Sequence, residues 1–566
     1  MFRHLSLLLL ACGLAAPAAS QSLALRNATV VDVTDGTLLR GRTVLINGPR
    51  IAAIGPADAL PVPPGTTVVE AEGAFVIPGL WDMHVHTFNN NSLQPPNTWT
   101  LPLYLANGVT GVRDMWVKPG AQAEQVRTWQ QEPDAGSFVG PRFGAIGTLV
   151  DGPPPIQKSD TVSTAAEAAA FVATLAEGGI DFVKSYSRLS PEAYHGLVAA
   201  ARAAGIEVAG HGPNSLSTFE VAEAGQRSIE HLTGVHETCS SQEEALRAEG
   251  VQAFDEPGRV VSTFDPAKCA SLYARLAERE VWQVPTLITN RVWTADARIE
   301  DLLLDEGRLY TPTWEAAEWG WVESFLAWTP PDDRAAYEAL YRLEQRIVGE
   351  MHAAGVPILA GTDFGNPYIY PGFSLLDELG ELVESGLSPL AALQAATLDP
   401  ARYLDRTDDL GTVSEGRLAD LVLLDANPLD DIEHVRQIRA VVMNGRLFTS
   451  DDLARMKQEV LVGHYREALT QPAPLGVQPL DEAAAERLVG AYRDVDTGNE
   501  AEVVLDGGEL RAAFGDWVDA LEPLGGSLFR VTGTNVVYLF QPEPEGPARG
   551  FEINDGDTVM VFERVR

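Results

Sequence analysis

Cysteine is almost missing from this chain: there are three in 566 residues, at Cys12, Cys239 and Cys269. So few thiols exclude a disulfide-built scaffold and leave no set of four for a thiolate metal cluster. Basic residues are also short, 41 Lys and Arg against 79 Asp and Glu, and the formal net charge is −38. Such a surface repels phosphate backbones and anionic bilayers, so no nucleic-acid partner is expected. The acidic excess is read as solubilising and says nothing about substrate charge. Past the N-terminus no stretch reaches the roughly 18 consecutive apolar residues of a membrane span. The mature chain is expected to be soluble.

Residues 1–20 read as a cleaved secretory signal, with Arg3 ahead of an apolar run from Leu5 to Ala16 and small residues, Ala18 and Ser20, before Gln21. The expected location is periplasmic or secreted. A lipoprotein signal is the alternative, with Cys12 of Leu9-Leu-Ala-Cys12 carrying the lipid, although the apolar run before it is very short. Removal of Cys12 leaves Cys239 and Cys269, and an exported chain meets oxidising conditions. A structural disulfide between them is expected, in preference to a metal or catalytic role.

The length suggests roughly three to four domains. Residues 22–73 read as short strands broken by turns at Asp35-Gly36 and Asn47-Gly48, and a similar pattern returns at Gly411–Asp425 and Arg439–Phe448, with Asn444-Gly445 as the turn. Between these pieces, over 74–410, apolar strands alternate with amphipathic helices, which argues for a parallel (β/α)8 barrel. Its strands are expected to end near His86, Asp114, Gly147, Tyr186, His211, His231, Leu287 and Asp363, with the clearest helices at 165–177, 191–204 and 333–354.

Two insertions break that rhythm. One, 236–270, holds both cysteines; the other, 290–332, carries Trp293, Tyr310, Trp314, Trp319, Trp321, Phe325 and Trp328. The second reads either as an apolar wall over the site or as a helical hairpin packed on the barrel. After the Pro-containing stretch 472–480, a helix over 482–492 and alternating strands give a β-rich accessory domain at 476–566, with nothing in it that suggests chemistry.

The chemistry begins in Phe75-Val-Ile-Pro-Gly-Leu-Trp-Asp-Met-His-Val-His-Thr87. Alternation along a strand places His84 and His86 on one face, a chelating arrangement. Lys184 in Asp-Phe-Val-Lys, His211 in Val-Ala-Gly-His, His231 in Ser-Ile-Glu-His and Asp363 in Ala-Gly-Thr-Asp each end a short apolar run. In a (β/α)8 barrel all six lie at strand C-termini, the face on which barrel enzymes build their sites. A lysine ending an apolar run is pushed toward the neutral amine by burial, and a neutral amine can react with carbon dioxide.

This ordered set of His-x-His, Lys, His, His and Asp resembles the metal-dependent amidohydrolase superfamily, in particular its imidazolonepropionase-like and prolidase-like branch. The resemblance covers about residues 22–450. It implies a TIM-like barrel flanked by a β-sandwich assembled from 22–73 and 411–455. It also implies two divalent ions, zinc the first choice, bridged by Lys184 as N6-carboxylysine. His84, His86 and Asp363 would hold the more buried ion, His211 and His231 the more exposed one, and Asp363 would also carry the catalytic proton. Tyr186, two residues past Lys184, is the candidate substrate contact.

The implied reaction is hydrolysis of a carbon-nitrogen bond in a small amide or peptide-like substrate, as in a dipeptidase or an N-acyl amino acid hydrolase. Prolidase-like relatives often carry Gly-Gly-His after the third strand, whereas this chain has Gly144-Ala-Ile-Gly-Thr-Leu-Val-Asp151, which argues against simple dipeptide specificity. Three alternatives stay open: a mononuclear cyclic-amide hydrolase or deaminase, a lactone or phosphotriester hydrolase, and a binding protein without turnover. A homo-oligomer is compatible with all of them.

Overall fold

The computed structural model describes residues 22–88, 98–131, 139–294, 305–316, 319, 322, 325, 329–470 and, further on, 482–495, 497–515, 517–525, 528–532, 536–541, 546–554 and 559–565. The signal segment and the 472–480 stretch lie outside the described residues, as do Trp321, Trp328 and the side chain of Trp314.

Seven parallel strands form the centre: Leu80–Val85, Val109–Asp114, Arg142–Asp151, Phe182–Ser185, Glu207–Gly210, Ser228–Glu230 and Trp282–Val284. Each pairs with the next in chain order. Residues 357–364 close the ring without forming a regular ladder. Leu359 N donates to Gln283 O (2.9 Å) on one side, while Met83 N donates to Ala360 O (2.9 Å) and Asp363 N to His84 O (2.8 Å) on the other. The buried Asp82 carboxylate supplies the rest of the seam, accepting from Thr362 N (3.0 Å) and Thr362 Oγ1 (2.7 Å). Gly361 is required there, because a Cβ would lie 2.6 Å from Val284 and 3.0 Å from His84.

Helices cover the ring as the apolar spacing predicts. Pro191–Ala204 shows why: Ser190 caps it by accepting from Ala193 N, Pro191 opens it, and Gly205 ends it at φ 69°. Its buried face is Ala193, Tyr194, Leu197, Val198 and Ala201, a three-and-four spacing turned to the sheet. Two strand limits differ from expectation. The seventh strand stops at Val284 rather than Leu287, because Thr286 takes φ 49° and Leu287–Arg291 becomes a helix. The third runs past Gly147 to Asp151, whose carboxylate accepts from the backbone N of Gly152, Ile156 and Arg188.

The flanking unit is one sheet of eight strands drawn from both sides of the barrel. Ser22–Asp32 is bent by irregular register between Leu25 and Val30, so its first half pairs with Thr67–Glu70 and its second with Phe75–Pro78. Phe75–Pro78 then pairs antiparallel with Leu421–Leu424. The sheet folds on a core of its own, including Leu25, Val30, Val44, Ile46, Leu421, Leu423 and Val442.

Residues 490–564 form a separate closed antiparallel barrel of eight strands, filled by Tyr492, Tyr538, Phe540, Phe551 and Phe562. The helix before it ends at Leu488, short of the expected Tyr492, because Tyr492 is buried in this core as part of the Gly490–Asp494 strand. A chain stopped after residue 475 is expected to keep its full metal content, since every proposed ligand precedes that point. Elemental analysis of the truncated protein checks this; a folded truncation that holds no metal would mean that the tail completes the site.

Cys239 and Cys269, 30 residues apart, are bonded, tying the end of Val235–Thr238 to the helix Pro266–Glu278. Closing such a loop contributes about 3–4 kcal/mol in the chain-entropy picture. Replacing both cysteines with alanine should lower the denaturant midpoint accordingly. An unshifted midpoint would mean that the neighbouring helices hold this insertion without the bridge.

Candidate metal centre

Six side chains meet at the C-terminal mouth of the central barrel. His84 lies inside the first strand and His86 just past its end; Lys184 lies in the fourth strand; His211 and His231 follow the fifth and sixth, and Asp363 lies in the 357–364 segment that closes the ring. The first four of these and Asp363 are buried. His86 Nε2 and His84 Nε2 lie 3.1 and 3.2 Å from Asp363 Oδ1. Lys184 Nζ faces the same two nitrogens at 3.1 Å (His84) and 3.2 Å (His86). His231 is set back, its Nε2 3.7 Å from Asp363 Oδ2, and its ring lies 5.1 Å from that of His211. His84, His86 and Asp363 thus form a tight group beside Lys184, while the His231 ring lies 4.6 Å from that of His84 and 5.1 Å from that of His211.

The backbone is bent to bring them there. His231 and Asp363 both adopt φ 57°, and Thr286, which meets His231 Nδ1 at 2.7 Å through its hydroxyl, adopts φ 49°. Non-glycine residues in the left-handed region cost on the order of 1–3 kcal/mol each and gather at functional sites. Gly210, before His211, is needed for another reason: a Cβ there would sit 2.4 Å from Ser185 O and 3.0 Å from Lys184 Cγ.

Burial dominates the electrostatics. It lowers Lys184, against the opposing pull of Asp363 and Glu230. Burial also pushes His86 and His231 down to about 3 and His211 well below its ordinary value. Burial alone would raise Asp363, but His231 and His84 hold it well below the usual carboxylate range. Burial thus favours the neutral form of His86, His211 and His231, and the neighbouring rings favour the ionised form of Asp363, the forms that bind metal.

The donor set fits a cation. His84 Nδ1 lies 2.8 Å from Glu230 Oε2, and Glu230, which burial would raise, is brought down to about 2 chiefly by Arg113. An ionised carboxylate only accepts, so His84 Nδ1 carries a proton, and Nε2 is the nitrogen that the neutral ring leaves with a lone pair. That lone pair faces Asp363 Oδ1, a second acceptor, at 3.2 Å. A cation between these two atoms would be held by both. Ser187 Oγ meets His211 Nδ1 at 2.9 Å, so that imidazole too is anchored on the side away from the centre. Among the described residues, His86 Nδ1 has no such partner.

Glu230 and Arg113 are the site residues that motif reading missed. Arg113 is fully buried, donating Nη2 to Glu230 Oε2 (2.8 Å), Nη1 to Ser228 Oγ (3.0 Å) and Tyr403 OH (2.8 Å), and Nε to Met83 O (2.5 Å). The available signal was a charge inside each of two short apolar strands. Tyr186 stacks on His211 with ring centroids 4.0 Å apart, and burial raises its hydroxyl above the ordinary value.

Comparison with known proteins agrees with this architecture. The chain is 45% identical over 65 residues to an adenine deaminase of Rubrobacter xylanophilus, a stretch covering 12% of this chain and 11% of that protein. It thus spans only about a tenth of that curated relative. Among solved structures, a bottromycin amidohydrolase superposes with a TM-score of 0.63 at 24% identity, covering 78% of this chain and 90% of the other. A Xaa-Pro dipeptidase superposes with a TM-score of 0.55 at 19% identity, covering 76% and 100%. At these identities the likeness establishes the shared fold. The model of the Amidohydrolase family matches residues 75–448, the barrel with its returning strands, and the chain belongs to that family.

Proposed function

We propose that this protein hydrolyses a carbon-nitrogen bond in a small amide or peptide-like substrate, using two divalent ions and a carboxylated Lys184. The observation that carries the reading is the setting of Lys184. Its amine is buried against two imidazole nitrogens, and among the described residues no carboxylate forms an ion pair with it. A neutral amine there adds carbon dioxide, forming one N–C bond and releasing one proton, and becomes an anionic ligand beside His84 and His86. The likeness to proteins named for amide hydrolysis, dipeptide hydrolysis and deamination supports the bond type.

His84, His86 and Asp363 would hold one ion, His211 and His231 the other, with Lys184 between; imidazole and carboxylate suit zinc and also manganese, cobalt or nickel. When bound, such ions supply a water-derived nucleophile near neutral pH and polarise a carbonyl. Asp363 takes the proton of the attacking water and returns it to the leaving nitrogen, and Asn366 Nδ2, 2.6 Å from Oδ2, fixes its orientation. Tyr186 walls the substrate over His211. Export after removal of residues 1–20 belongs to the same proposal, and the Cys239–Cys269 bond supports it.

A mononuclear deaminase or cyclic-amide hydrolase is the second reading, favoured by the compactness of the His84, His86 and Asp363 group. Metal content separates the two: about two ions per chain for the first, one for the second. A hydrolysis screen of the metal-reconstituted protein over N-acyl amino acids, dipeptides, lactones and cyclic ureides then tests the bond. Turnover confined to lactones would reject the carbon-nitrogen assignment.

A further inference from the structure

Beside the metal centre lies a cavity of about 190 Å³, with His231 in one wall and Phe254, Trp293 and Tyr337 in another. The aromatic wall is built by both insertions together with the helix Pro331–Ala353. Phe254 comes from the first insertion, Trp293 from the second, and their ring centroids are 5.6 Å apart. Tyr337 lies 5.0 Å from Phe254 and also donates its hydroxyl to Phe254 O (3.3 Å), while Phe325 stacks behind at 6.2 Å. Phe254 is nevertheless 45% exposed. A large ring held by three others and left open beside a reaction centre is a surface awaiting an apolar group.

We infer that this cavity seats an aromatic side chain on the substrate, so that amides bearing a ring next to the scissile bond are the preferred class. The inference rests on the amide-hydrolase reading for the bond, but on Phe254, Trp293 and Tyr337 for the selectivity. Size agrees: an apolar cavity of roughly 150 Å³ takes up benzene, so this one holds a ring with its methylene. The charges in the wall are largely spent on one another. His236 Nε2 lies 3.2 Å from Glu344 Oε1, Glu344 Oε2 accepts from Asn290 (3.1 Å), and Arg247 pairs with Glu243. Glu237 accepts from Ala253 N through Oε1, while its Oε2 has no partner among the described residues. That oxygen makes a basic side chain the rival guest.

The test uses the full metal-loaded chain. Calorimetric binding of L-phenylalaninamide, L-alaninamide and L-argininamide is measured beside turnover of Ala-Ala, Ala-Phe, Phe-Ala and Ala-Arg. The phenylalanine ligands should be favoured roughly 10- to 100-fold over alanine. Phe254→Ala, at a half-exposed position, should cut that ratio about tenfold, and Trp293→Leu should repeat the loss. Equal affinity for the alanine and phenylalanine ligands, preference for arginine, or an unchanged ratio in both variants would overturn the assignment. A ring preference in binding without hydrolysis of any amide would instead reject the reaction and leave the aromatic seat standing.

Discussion

Lys184→Ala is expected to leave the protein with one metal ion and to lower kcat on the order of a thousandfold or more, because a bridging ligand and its negative charge vanish together. Nζ is 3.1–3.2 Å from two imidazole nitrogens in a buried mouth, so truncation opens a space of the lysine's own length beside His84 and His86. Acetate or propionate at high concentration should enter that space and restore part of both the metal content and the rate. A lysine that served only as a cation would permit no such rescue. His211→Ala is the control: it also loses a ligand, but a carboxylate cannot replace an imidazole set against Ser187, and no recovery is expected. Near-normal turnover of Lys184→Ala without added carboxylate would reject the bridge and favour the mononuclear reading.

That these six side chains converge was legible in the sequence because each ends an apolar run, and a barrel turns such ends into one mouth. The strand limits were less legible where backbone geometry overrides pattern. Nothing in Val-Pro-Thr-Leu announces that Thr286 will take φ 49° and stop the seventh strand at Val284, and only contact with Val284 and His84 explains Gly361. The C-terminal barrel was read as strands without its closure, since the pairing of Gly490–Asp494 with Val559–Arg564 joins segments far apart in the chain. Glu230 and Arg113 were overlooked for a similar reason. A charged residue in a strand reads as surface until a partner 117 positions away is found beside it.

That pair yields the other large effect. Arg113 and Glu230 are both fully buried, so Arg113→Met leaves a carboxylate in the barrel interior without its counter-ion, and the loss of stability should be about 3–5 kcal/mol at pH 7. Denaturant unfolding of the metal-free protein reads it. The pH dependence has a fixed sign. In the parent, Glu230 is held at about 2, below its ordinary value, so its contribution is complete above that ordinary value and disappears as pH falls toward 2. Without the guanidinium, burial pushes Glu230 up, it protonates at a higher pH, and the deficit against the parent narrows as the solution is acidified. A protonated or displaced Glu230 no longer fixes the proton of His84 on Nδ1, and metal affinity should fall roughly 10- to 100-fold. Pairing Arg113→Met with Glu230→Leu separates the two roles. The double variant removes the stranded charge and should regain much of the stability, yet the weak metal binding should persist because His84 still lacks its acceptor. Full metal affinity in the double variant would mean that His84 is held by packing alone and that the Arg113–Glu230 pair serves only the barrel core.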